Sequence, residues 1–467
     1  MSGGTSANTT AAAQRSGWDG LADTATVAAT YLPVAVMIYA LLVWPLAFAT
    51  SEVPLSEQVN GWLVNPPPKD ESALKTIPYP LFFLIGALCF LLSGAYRRAP
   101  WISPIPLTLA VFVALAAGSG AWSVFPAESF KRGILCGLVI ATFYFAVFAA
   151  RDYTTIAKGL FWTLFAAAMM NIAALVLKPP SDIGYTGIYP HKNFFGFVAA
   201  LILYLGLHGL TFGPRLYKVA AIPMLLLAPV FLLASESKTS FGLAGLAPLV
   251  GLAMCGLRRR LGIPPLLVVA VPIVLLVFVF WIGREAGLWD FLLLNEKLLG
   301  SATLTGRTDI WAIAGALISQ RPLLGWGYEA VWNMGAEGVV TRMAVGFVRT
   351  MPTAHNGYID IFTQLGAVGL ALVFGVVVLM LNVLGRLIDV NPRLGWFCAT
   401  LTIFILLHNN LESDILISTN QLWMVLLLYT FVAMRAVSES AAQKRSDEPA
   451  PVRPHTIEGY LVSSSAR

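Results

Sequence analysis

The run IPPLLVVAVPIVLLVFVFWI (263–282) holds 20 residues without a charge, which as a helix is long enough to cross the hydrocarbon of a bilayer. Further apolar runs lie on both sides of it, near 27–48, 79–93, 105–118, 132–149, 155–177, 194–212, 217–234, 241–257, 357–384, 395–411 and 419–436. Of the 467 residues, 57% are hydrophobic and only 12% charged; soluble domains carry about 25% charged residues. Outer-membrane barrels need alternating segments of about ten residues, and these runs are continuous. The expected fold is therefore all-α: a polytopic integral membrane protein with about 12 transmembrane helices.

Charge outside the runs sets the orientation. With the N-terminus inside, the short inner connections hold ten bases (Arg97, Arg98, Arg151, Arg215, Lys218, Arg258, Arg259, Arg260, Arg386, Arg393) against Asp152 and Asp389. The short outer connections hold Lys69, Lys75, Lys178, Lys192 and Lys238 against more acids, including Glu52, Glu57, Asp70, Glu71 and Glu128. The positive-inside rule then places both termini in the cytoplasm. The polar leader 1–26 and the polar, Pro-containing tail 438–467 read as disordered. Ala47-Phe48-Ala49 resembles a signal-cleavage site, but the preceding run exceeds a signal core and reads as an uncleaved first span. Helices 1–9 fall within 27–282 and helices 10–12 within 357–437. Cys89, Cys136, Cys255 and Cys398 sit inside apolar runs without metal spacing, as small buried hydrophobes do.

Between these blocks, 283–356 is expected to be one long outward-facing loop, periplasmic if the protein is bacterial. Within it RTDIWAIAGALISQ (307–320) has helical spacing, with Thr305 or Thr308 as N-cap and Arg321-Pro322 as stop. WDFLLLNEKLL (289–299) reads as an interfacial helix.

Three even-numbered spans break the charge rule at their outer starts, with Lys131-Arg132, His191-Lys192-Asn193 and His355-Asn356. A helix N-terminus offers free N–H groups and partial positive charge, so bases added there make an anion site. The competing reading is that these bases snorkel to phospholipid phosphates.

GIYPHKNFFGF (187–197), LTGRTDIW (304–311), LLGWGYEAVW (323–332), HNGYIDIFTQLGAVGL (355–370) and HNNLES (408–413) follow one another in that order. Together they resemble the O-antigen polymerase and ligase superfamily of bacterial membrane glycosyltransferases, in flavour its exopolysaccharide polymerase branch. The resemblance spans roughly 180 to 420. It implies a fold related to the polyprenyl-phosphate-sugar transferases, working at the outer face of the inner membrane. It also implies an undecaprenyl-diphosphate-linked glycan as donor and no metal or other cofactor. The acceptor is a glycolipid: another lipid-linked repeat unit for a polymerase, a lipid A–core sugar for a ligase. Membrane lipids are the remaining partners, and nucleic acid is not among them.

The residues fit that chemistry. Without a metal, the charge growing on a diphosphate leaving group must be met by Arg and Lys. Arg307 offers a planar, permanently charged fork and matches the family's loop arginine. His355 is the general-base candidate, or orients the acceptor, and Glu412 accepts from Arg307 or orients His355. Lys192, His191 and Asn193, with Lys131 and Arg132, are candidates for the diphosphate and donor. Asn356, Trp326, Tyr328 and Trp311 are candidates for the sugar, with packing an equal claim on the aromatic residues. No P-loop, HExxH, CxxC or Asp-x-Asp motif is present. A lipid-linked sugar transporter is a more distant reading, since the halves show no internal repeat.

Overall fold

A computed structural model describes residues 5–48, 76–180, 184–287 and 306–447. The first helix, α1, covers Thr5–Ile38 and runs on through a π-turn at Tyr39–Val43 to Phe48. Next come α2 (Pro78–Leu92), α3 (Pro104–Gly118), α4 (Pro126–Ala149), α5 (Tyr153–Leu177) and α6 (Lys192–Phe212). They are followed by α7 (Arg215–Ser235), α8 (Lys238–Leu261) and α9 (Pro265–Glu285). The loop carries α10 (Arg307–Gln320) and the short α11 (Val339–Met343). The chain then closes with α12 (Gly357–Val390), α13 (Pro392–His408) and α14 (Gln421–Asp447).

Among the described residues, ten helices are long and apolar enough to cross a membrane. The shorter apolar helices α2 and α13 occupy the other two expected runs. A helix that is apolar all round belongs inside a bundle or against lipid, and both cases occur. In α14 every residue from Gln421 to Met434 is buried, Trp423 near its start completely. In α9 the run that opens the sequence reading faces outward, Leu276 at 73% exposure, and it lies at the edge of the bundle.

The ends of the chain depart from expectation. Residues 5–26 are helical, continuous with the first span, where disorder was expected. Their alanines have the highest helix propensity of any residue. At the other end α14 continues ten residues past 437 to Asp447, helped by an Arg435–Glu439 ion pair one turn apart. Residues 1–4, 448–467, Thr305 and the expected helix at 289–299 lie outside the described residues.

The loop has a core of its own. Ile310, Ala314 and Leu317 of α10 pack with Val331, Trp332, Val340, Val348 and Ala354. α10 begins and ends as expected, but its N-cap is Gly306 at φ +85° rather than a threonine.

The expected span 357–384 is broken. Gly366 has φ +65° and ψ −163°, so α12 is a short helix over 357–365 followed by a membrane-length one. The freed backbone is satisfied by the loop. Trp326 N–H donates to Thr363 O at 3.1 Å and Gly327 N–H to Gln364 O at 2.8 Å. In return Ala367 N–H donates to Pro322 O at 2.8 Å. Irregular backbone at membrane depth is tolerated only when protein meets its polar groups in this way. Arg321 Nη1 also donates to Trp122 O and Tyr328 N–H to Ser119 Oγ, tying the same stretch to the α3–α4 turn. A Cβ at position 366 would strike the Leu323 backbone in a conformation open essentially only to glycine. Gly366→Ala should therefore cost more than ~2 kcal/mol, read as a lowered thermal midpoint of the purified protein.

Candidate functional site

The turn after α13 is folded by Asn409, whose Oδ1 accepts from Asp414 N–H and Ile415 N–H, each at 2.9 Å. That turn presents Glu412. The start of α12 is stitched to it: Gly357 N–H donates to Asn409 O (2.8 Å) and Glu412 O (3.0 Å), and Asn356 Nδ2 to Asn410 O (3.0 Å). Asn356 Oδ1 also caps α12, accepting from Tyr358 N–H and Ile359 N–H, so this sugar-contact candidate is committed to holding the helix start.

Three segments converge on the Glu412 carboxylate. Arg307 Nη2 donates to Oε1 at 2.7 Å while its Nε donates to Leu411 O at 3.0 Å. Asn193 Nδ2 donates to the same Oε1 at 2.7 Å. His355 Nδ1 meets Oε2 at 2.9 Å. Burial would raise the Glu412 pKa, but the His355 hydrogen bond and the charges of His355, His408 and Arg307 outweigh it and hold the carboxyl below its usual range. An ionised Glu412 assigns the His355 proton to Nδ1, which leaves Nε2 as an acceptor. His355 itself sits at φ +48°, a left-handed conformation that histidine visits more often than most residues.

His191 caps α6, its Nδ1 accepting from Asn193 N–H at 3.2 Å, so its proton is assigned to Nε2. Desolvation lowers its pKa; Glu412 opposes this, while His355, Lys192 and Arg307 reinforce it. His191 therefore lies within electrostatic reach of Glu412, His355, Lys192 and Arg307.

The bases at the start of α4 form a second group. Arg132 Nε donates to Glu128 Oε1 at 2.5 Å and lies 3.9 Å from Glu329 Oε2, and Lys131 pairs with Glu128 at 3.5 Å. Glu329 in turn accepts from Ser418 N–H and Oγ. These bases are matched by carboxylates.

The aromatic candidates separate clearly. Tyr328 is fully buried, with its hydroxyl donating to Leu416 O at 2.6 Å and its ring against Phe112. It packs the core and has no surface for a sugar, the packing alternative of the two that the sequence left open. Trp311 Nε1 donates to Ala354 O and packs on the loop core, bracing the residue before His355. Trp326 donates to Leu317 O and is covered by the Arg321 guanidinium, 4.1 Å from its ring centre.

Beneath this site lies a second, buried pair. His408 is buried, with Nδ1 2.6 Å from Asp414 Oδ2 and Nε2 3.4 Å from Ser240 Oγ. Only the HNNLESD spacing hinted at this pair. Asp360 is also buried, one turn into α12, with its carboxylate beside Ser413, Gln364 and the Ala354 backbone. Among the described residues no group of three or more His, Cys, Asp and Glu is arranged to hold a metal ion.

Removing one partner of a buried ion pair costs roughly 3 kcal/mol or more, because the other charge stays buried. Glu412→Gln should lower the thermal midpoint accordingly. A depressed native pKa stabilises above the unfolded value, so the gap between wild type and variant should be full above about pH 5. It should shrink as pH falls through the native value. Melting both proteins across pH 3–8 checks the sign.

With this geometry in place, similarity to known proteins can be read. Residues 222–374, from α7 into the second part of α12, match the family model described as O-antigen ligase. That stretch contains Arg307 and His355; Asn193 and Glu412 lie outside it. The chain is 30% identical over 283 residues to the "Exopolysaccharide production protein ExoQ" of Rhizobium meliloti (strain 1021). The match covers 55% of this chain and 60% of that relative's length. The helical architecture is that of a multi-pass membrane protein, and its stretch 222–374 is similar to the O-antigen ligase family.

Proposed function

We propose that the protein is a glycosyltransferase that joins lipid-linked glycan repeat units into an exopolysaccharide or other surface polysaccharide. The donor is an undecaprenyl-diphosphate-linked glycan and the acceptor the sugar end of a second lipid-linked unit. On this reading the protein lies in the bacterial inner membrane with both termini cytoplasmic, and 283–356 is the periplasmic catalytic loop. The observation that carries it is the Glu412 carboxylate holding Arg307 and His355 in one site at the helix ends.

In the transfer, an acceptor hydroxyl attacks the donor's anomeric carbon as the bond to the diphosphate oxygen breaks. His355 Nε2 takes the hydroxyl proton, and Glu412 stabilises the imidazolium that forms. Undecaprenyl diphosphate leaves as the anion, met by Arg307, Lys192 and the N–H groups at the start of α10. The His191 Nε2–H donates to a diphosphate or sugar oxygen. The loop serves as a wall and lid, and its backbone bonds to the broken α12 fix Arg307 relative to His355.

A ligase of the same fold, moving the glycan to lipid A–core, is the second reading, favoured by the family description that matches 222–374. Incubating the purified protein with lipid-linked single repeat units separates the two. A ladder of oligomers is expected, and product only when a lipid A–core acceptor is added would establish the ligase. EDTA should leave the rate unchanged; a metal requirement would contradict electrostatic stabilisation by side chains. Arg307→Ala and His355→Ala should each lower the rate by about a hundredfold or more. Arg307→Lys should recover little of it, because a point charge cannot reproduce the fork.

A further inference from the structure

α6 is 21 residues long, about 30 Å, and its first turn meets Glu412. Its last turn, with His208 and Phe212, therefore lies at the opposite membrane surface. There α5, α6, α7, α13 and α14 leave a cavity of about 290 Å³ between them. Its walls are apolar and aromatic, with Phe161, Leu205 and Phe397 among them, and its mouth is basic, with Lys158 and Arg393. A wider cleft adjoins it, sharing Phe212 and Arg393 and adding Arg259 and Arg260. The Arg393 guanidinium stands over the Phe212 ring at 5.6 Å, at the junction of the two.

Two features separate this end from ordinary juxtamembrane charge. The first is that the nearby acids are already committed. Asp152 accepts from Thr154 and Thr155, and Asp389 is paired with Arg258 at 2.6 Å. Among the described residues none of Lys158, Arg259, Arg260 and Arg393 has an ion-pair partner. The second is His208, which lines the cavity and packs on Phe397 (4.8 Å) and Phe212 (5.4 Å). Neither of its ring nitrogens has a hydrogen-bond partner among the described residues. An imidazole left polar on an apolar wall calls for a polar group from the occupant.

We propose that this cavity binds an anionic phospholipid of the leaflet opposite the Arg307 site. Part of an acyl chain fills the space between α5, α6 and α13, a volume at the lower end of ligand pockets, which run from about 300 Å³. The phosphate is held by Lys158 and Arg393, with Arg259 and Arg260 further along the rim, and the ester oxygens at the head of the chain meet His208. A soluble anion would satisfy the rim alone; the apolar depth and its histidine select a lipid.

The test uses the full-length protein, stripped of lipid in neutral detergent and titrated with phosphatidylglycerol or phosphatidylcholine of the same chains. Bound lipid is counted by native mass spectrometry. Phosphatidylglycerol should bind in preference. The double variant Lys158→Gln/Arg393→Gln, at two exposed positions, should weaken it on the order of thirtyfold while sparing phosphatidylcholine. Ala157→Phe fills the cavity without changing charge and should weaken both lipids. Arg97→Gln/Arg98→Gln, the same charge change on another connection, should have no effect. Equal binding of the two lipids by wild type overturns the site, as does equal loss from the two double variants. So does undiminished phosphatidylglycerol binding by Lys158→Gln/Arg393→Gln.

Discussion

One carboxylate holds one end of this helical bundle together. Glu412 accepts hydrogen bonds from Asn193 and Arg307 and faces His355, three residues drawn from the start of α6, the start of α10 and the start of α12. A buried anion is costly unless its lone pairs are filled, and here guanidinium, amide and imidazole fill them. The arrangement also has a directional consequence. With Nδ1 of His355 facing the Glu412 carboxylate, Nε2 is left as an acceptor, and the proposed function uses it as the base.

The rest of the fold keeps those segments in register. The loop is a small folded unit whose backbone closes the gap left by Gly366 in α12, so Arg307 and His355 are referenced to the same broken helix. His408 and Asp414 buttress the turn from below. Some 30 Å away, the other end of α6 opens on the cavity rimmed by Lys158 and Arg393, so a single helix runs from the Glu412 site to that cavity.

Much of this was legible in the sequence. Uninterrupted apolar runs marked the helices because a bilayer rewards nothing else, and α10 was bounded correctly by its periodicity and by Arg321-Pro322. Bases at outer helix starts drew attention to His191, Asn193 and His355 because they opposed the topology rule. What stayed hidden were effects of partners distant in sequence. LGAVGL (365–370) reads as continuous helix, and only the loop backbone opposite Gly366 makes a break affordable. Tyr328 has the chemistry of a sugar platform, and only the approach of α3 and the Leu416 carbonyl consigns it to the core. Arg132 has the charge of a phosphate ligand, but Glu329, nearly two hundred residues on, stands 3.9 Å from it.

The central claim is that Arg307 and His355 act through one carboxylate as a unit, and a double-mutant cycle on transfer rate tests it most directly. Glu412→Gln and His355→Ala would be made singly and together, and single-turnover transfer measured from a lipid-linked repeat unit. Residues that act as one are strongly non-additive. The double variant is therefore expected to be little slower than the slower single variant. Losses that multiply independently would contradict a shared site.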